Sequence, residues 1–137
     1  MNRKPDNDPV TGTVLDPRLA PKRLKEGLVP DGTAIFLRIE EGHDTGTVLT
    51  LSAGGVYVIG REGADISLED EKVSRKHAEI GLYGPDAYVL RDLASTNGTL
   101  LNGRRVGEKA QLRNGDLIRV GDTTLQFSML AYSIPLS

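Results

Sequence analysis

The sequence contains no cysteine and no tryptophan. Without cysteine, disulfide stapling, thiol catalysis and cysteine-based zinc sites are excluded, and the chain suits a reducing compartment. Aromatic residues make up only 4%, so the core must rest on Leu, Val, Ile and Ala. An excess of one charge is also lacking: 17 basic and 19 acidic residues leave a formal net charge of -2. Such a chain has no bulk attraction for nucleic acid or an anionic membrane, so any anion site must be local. A basic stripe interleaved with aromatics, the mark of single-strand binders, is missing too. No apolar run approaches the ~18 residues that span a bilayer. The polar opening Met1–Pro9 lacks the apolar core of a secretory signal. Together these absences point to a cytoplasmic protein with no membrane and no nucleic-acid partner. Only two histidines are present, His43 and His77. Neither has a second His or Cys close in sequence, so no metal-ligand set is predicted.

What is present is glycine, 16 residues of it in a chain of 137. That length suits one domain plus a tail, since domains cluster at roughly 100–150 residues. Residues 1–32 hold five of the seven prolines, mixed charge and isolated apolar positions. They read as a flexible arm, with signs of a short helical turn over Pro21–Gly27. From Thr33 the texture changes to short apolar runs. Strands are predicted at Ala34–Ile39, Thr47–Leu51, Val56–Ile59, Ile66–Leu68, Ala78–Tyr83 and Ala87–Leu90. Further strands are predicted at Thr99–Leu101, Arg104–Val106, Ala110–Leu112, Leu117–Val120 and Thr123–Met129. The polar loop Glu40–Gly46, Gly84-Pro85-Asp86, Asn102-Gly103 and Gly121-Asp122 supply turns between consecutive runs. Many short strands and no long 3.6-residue period predict an all-β sandwich or barrel. The domain is placed at 33–130, with a tail at 131–137.

Three loop clusters carry residues suited to binding. Gly60-Arg61 follows a strand. The arginine offers a planar fork of donors for phosphate or carboxylate, and the glycine allows close approach. Pairing of Arg61 with Glu62 or Asp65 is the plainer alternative. Ser74-Arg75-Lys76-His77 enters a strand with a hydroxyl donor and positive charge. Ser95-Thr96-Asn97-Gly98-Thr99 lies between strands, and its asparagine can bind an extended peptide backbone through paired hydrogen bonds.

In this order and at this spacing, the three clusters resemble the signature of the forkhead-associated (FHA) family. Leu101-Asn102-Gly103 and Leu112–Asp116 extend the likeness, which covers about Thr33 to Met129. The resemblance implies an eleven-stranded antiparallel β-sandwich with ligand loops at one end. It implies a phosphothreonine-peptide binding module in Ser/Thr kinase signalling, without cofactor or catalysis. Arg61, Ser74 and Arg75 would hold the phosphate, Thr96 would add a contact, and Asn97 would hold the peptide backbone. Gly60, His77, Gly98 and Asn102 would support the site. Lys72, two residues before Ser74, would read an acidic side chain three residues after the phosphothreonine. Partners would be phosphothreonine proteins, among them a Ser/Thr kinase or its substrates. In some small bacterial members a phosphorylated threonine in the arm binds the chain's own domain. Here Thr11 and Thr13 are the candidates, and Thr13 has Asp16 three residues on. A scaffold that binds partners without phosphate is the alternative reading.

Overall fold

The structure is a computed structural model, and it describes residues 32–84 and 86–132. The helical turn expected at Pro21–Gly27 and the threonines Thr11 and Thr13 lie outside those residues. Eleven strands follow one another: β1 (Gly32–Glu41), β2 (Val48–Leu51), β3 (Val56–Gly60), β4 (Ile66–Ser67), β5 (Ala78–Leu82) and β6 (Tyr88–Asp92). The rest are β7 (Thr99–Leu101), β8 (Arg104–Arg105), β9 (Lys109–Gln111), β10 (Leu117–Val120) and β11 (Thr123–Tyr132). They form two sheets, in the orders β2-β1-β11-β10-β7-β8 and β4-β3-β5-β6-β9. No described helix is long and apolar enough to cross a membrane.

Alternation along each strand explains the two layers. In β1, Ile35, Leu37 and Ile39 are buried at every second position. In β5, Ala78, Ile80 and Leu82 do the same from the facing sheet. Side chains at i and i+2 share a face, so these rows meet in one core. Ile59, Leu90, Ile118, Val120, Leu125 and Phe127 fill it. As the composition requires, the core is aliphatic. Its one described aromatic pair is Tyr88 against Phe127, with ring centroids 6.1 Å apart and a tilt of 59°.

The four turns expected from sequence each join antiparallel neighbours: β1–β2, β5–β6, β7–β8 and β10–β11. At Asn102-Gly103 both residues have positive φ, 50° and 85°. That is the backbone a two-residue hairpin loop with strand-matched twist needs, and asparagine and glycine tolerate it best. One pairing departs from the antiparallel expectation. β4 runs parallel to β3, with Ile59 opposite Ile66 and Gly60 opposite Ser67. The chain leaves β3 at Gly60, loops over residues 61–65 and returns alongside in the same direction. β4 has only two residues, and its role is to pin that loop.

Candidate functional site

The three loops picked out from sequence meet at one end of the sandwich. The 61–65 loop leaves β3, the 68–77 loop enters β5, and the 93–98 loop connects β6 to β7. Backbone bonds seat the first two against each other. Arg61 N–H donates to the Ser74 carbonyl at 3.3 Å, and His77 N–H donates to the Ile59 carbonyl at 2.8 Å. Gly60 is required here for space. A Cβ on it would overlap the carbonyl oxygen of Arg75.

His77 is the internal post of the site. It is fully buried. Its Nδ1 accepts the Ser74 N–H at 2.9 Å, and its Nε2 lies 2.8 Å from the Gly98 carbonyl. The first bond makes Nδ1 an acceptor, so Nε2 carries the proton and donates to Gly98. One imidazole thus joins the 68–77 loop to the 93–98 loop. A second tie is direct: Ser74 Oγ accepts the Thr96 N–H at 3.0 Å. A hydroxyl that has accepted still has its own proton to donate. The Ser74 O–H remains available to an incoming anion.

The 93–98 loop is wound around Asp92. Its carboxylate accepts the Ser95 hydroxyl at 2.5 Å, the Ser95 N–H at 3.1 Å and the Thr99 hydroxyl at 2.7 Å. Burial alone would raise its pKa, but these hydrogen bonds outweigh it and hold the carboxyl below the usual value. Ser95 Oγ in turn accepts the Gly98 N–H at 2.9 Å. Asp70 plays a similar part in the 68–77 loop. It accepts the N–H of Lys72 and Asp122 and the hydroxyl of Thr123 at 2.8–2.9 Å. Burial works to raise this pKa as well, and the same kind of bonds leave it lowered. Sequence reasoning assigned neither aspartate a role. A signal existed: Asp92 stands three residues before Ser95 and Asp70 two before Lys72, the spacings of side-chain-to-backbone turns.

On this frame the expected ligand residues are placed as follows. Arg61 and Arg75 are exposed and line one open cleft of about 570 Å³, with Asp44, Glu62, Ser67, Leu68, Glu69, Asp70 and Glu71 on its other walls, while Ser74, Thr96 and Asn97 lie outside that lining. Arg61 is not paired with Asp65, whose carboxylate accepts the Val58 N–H at 2.9 Å. Thr96 and Asn97 are exposed on the neighbouring loop. Asn97 Nδ2 donates to the Lys72 carbonyl at 2.8 Å. The Lys72 ammonium is itself engaged, 3.3 Å from Asp122. Asn102 is not at this end. It sits on the β7–β8 turn, where its amide bonds Asp116 and the Leu117 N–H, both at 2.9 Å. Its contacts tie β7 to the start of β10. Among the described residues no group of three potential metal ligands exists.

Comparison with known proteins agrees with this geometry. The sequence pattern described as FHA domain matches residues 57–121. The FHA domain-containing protein FhaB of Mycobacterium tuberculosis is 33% identical over 113 residues, which cover 75% of this chain and 72% of that one. A solved FHA domain from a structural and functional analysis of phosphothreonine-dependent FHA domain interactions superposes with a TM-score of 0.62. It is 35% identical, and the match covers 75% of this chain and 99% of that one. The FHA domain of FhaA, an M. tuberculosis protein, solved in complex with the intracellular domain of Rv3910, superposes with a TM-score of 0.60. It is 36% identical, with 68% and 98% covered. With the sandwich, the three convergent loops and these likenesses together, the chain belongs to the FHA domain family.

Proposed function

We propose that this chain binds phosphothreonine peptides through the end formed by Arg61, Ser74, Arg75, Thr96 and Asn97, and that it carries out no catalysis. The observation that carries the reading is the hydrogen-bond state of Ser74. Its oxygen is held by the Thr96 N–H, which aims the hydroxyl and leaves its proton to donate. Arg61, whose N–H donates to the Ser74 carbonyl, and Arg75, the next residue along the chain, are exposed, and among the described residues no ion pair engages either guanidinium. A phosphothreonine brings a charge of about -1.5 to -2 and three acceptor oxygens. Charge-assisted bonds to such a group are worth about 1.5–3 kcal/mol each. The relatives support the reading, since one solved FHA domain is described by its phosphothreonine-dependent interactions. A Ser-His catalytic pair is disfavoured by geometry: His77 Nδ1 receives the backbone N–H of Ser74, and its Nε2 is turned to Gly98.

The binding unit in this reading is 33–130, between the arm 1–32 and the tail 131–137, in a cytoplasmic Ser/Thr kinase pathway. Its partners are a phosphorylated kinase or that kinase's substrates. Asn97 holds the peptide backbone by exchanging the Lys72 carbonyl for the ligand. Lys72 reads an acidic side chain at the third following position only by giving up Asp122. Phosphorylated Thr11 or Thr13 in the arm would occupy the same site. An extended chain covers about 3.3 Å per residue, so a linker of about 20 residues reaches it.

Titration of the full chain with a phosphothreonine peptide pool and with the same pool after phosphatase treatment tests the reading. Saturable binding to the first and none to the second is expected. Equal binding to both would favour a phosphate-independent scaffold. For the arm, a Thr13 phosphopeptide that fails to compete at high concentration would end the self-binding proposal.

A further inference from the structure

We propose that Arg105 is a specificity-determining residue of the peptide site, one that favours an acidic side chain flanking the phosphothreonine. This rests on the phosphothreonine reading above and adds a residue that no signature motif contains. Arg105 lies on β8, opposite Leu100 of β7. The Val106 N–H donates to the Thr99 carbonyl at 2.9 Å, which closes the hairpin back toward the 93–98 loop. There the guanidinium lies against Gly98. A Cβ built on that glycine would be 2.8 Å from Cζ and Nη2 and 3.0 Å from Nη1. So the face of the group covers the glycine, a place open to it only because Gly98 has no side chain.

Gly98 is the residue after Asn97. Its carbonyl accepts a hydrogen bond from His77 Nε2 at 2.8 Å and its N–H donates to Ser95 Oγ at 2.9 Å. A guanidinium resting on so fixed a residue is itself confined, and a confined donor loses less entropy when a ligand binds. Arg105 is exposed, and among the described residues no carboxylate forms an ion pair with it.

The hollow around Lys72 has the reverse polarity. The Lys72 ammonium is paired with Asp122, and Glu69, Asp70 and Glu71 crowd the same hollow. Lys72 therefore meets an acidic side chain only at the cost of its Asp122 pair, whereas Arg105 has no such competitor among the described residues. Arginine suits the task, since its planar fork meets a carboxylate with two parallel bonds.

The test scans every position flanking phosphothreonine as alanine or glutamate. Each peptide is titrated against the full chain and its Arg105→Gln, Arg105→Lys and Arg61→Ala variants. Glutamine keeps a planar polar group over Gly98 and removes the charge. Expected is one position where glutamate tightens wild-type binding by about two- to fivefold, the range of an exposed ion pair. That advantage should vanish in Arg105→Gln and persist in part in Arg105→Lys, while the alanine peptide binds all three alike. The proposal is overturned if the glutamate advantage survives in Arg105→Gln, or if no position shows one. It is also overturned if Arg105→Gln weakens alanine and glutamate peptides equally, which is what a mere prop for the loop would do. Any of these three results leaves the phosphothreonine reading intact as long as Arg61→Ala abolishes binding of every peptide. If Arg61→Ala binds as well as wild type, the underlying reading fails and this inference fails with it.

Discussion

His77 ties together two of the loops that carry the proposed ligand residues. Both ring nitrogens are bonded inside the protein, to the Ser74 N–H and the Gly98 carbonyl. Replacing it with alanine strands two buried backbone groups and opens a void. Each stranded group costs about 1–3 kcal/mol, so His77→Ala should lower unfolding free energy by about 2–4 kcal/mol in urea titration. A loss near zero would mean the loops hold without the imidazole. At this scale Arg61, Ser74 and Asn97 stood out in sequence only as an ordered set at a given spacing, since each alone suits an ordinary turn or surface. Arg105 was not legible. Its place beside Gly98 depends on how the β7–β8 hairpin folds back, and an arginine in an Arg-Arg pair carries no local mark of that.

Among the elements, the strands and most turns could be read from apolar runs broken by Gly, Pro, Asn and Asp. Asn102-Gly103 was the clearest, because few residues accept two successive positive φ angles. β9 shifted by one residue, from an expected 110–112 to Lys109–Gln111. Leu112 is buried just beyond its end, so burial alone misled the boundary. The parallel β3–β4 pair was invisible, since a two-residue strand has neither period nor turn signal of its own. The edge strand β2 holds a separate test. Thr50 is buried, and its hydroxyl has no partner among the described residues. It stands opposite Phe36, on the face of β1–β2 turned away from the row of Ile35 and Leu37. Thr50→Val removes the unpaired group at nearly constant shape. It should stabilise by about 1 kcal/mol, which raises Tm by roughly 4–8 °C in a domain of this size. A fall in Tm would show that the hydroxyl has a partner worth more than its desolvation.

For the whole molecule, the binding end is held together by acids that must stay ionised. Burial would raise the pKa of Asp70 and Asp92, but the hydrogen bonds they accept outweigh it and hold both carboxyls below the usual carboxylate value. Their contribution to stability is therefore complete above the unfolded pKa and is lost as pH falls through the lower folded value. Urea midpoints should hold steady from neutral pH down to about 5 and drop below about 4. Asp92→Asn should show a shallower acid limb than wild type, and identical limbs would contradict the assignment. In the proposed function phosphate is bound at the same end, and with a net charge of only -2 across the chain its affinity would come from local groups. Calorimetric titration of one phosphothreonine peptide into wild type and Arg61→Ala, once the variant is shown to match wild type in Tm, is the most direct measurement of that claim. The account predicts at least about a hundredfold loss in the variant, since two charge-assisted bonds disappear. Undiminished binding by a folded Arg61→Ala protein would contradict it.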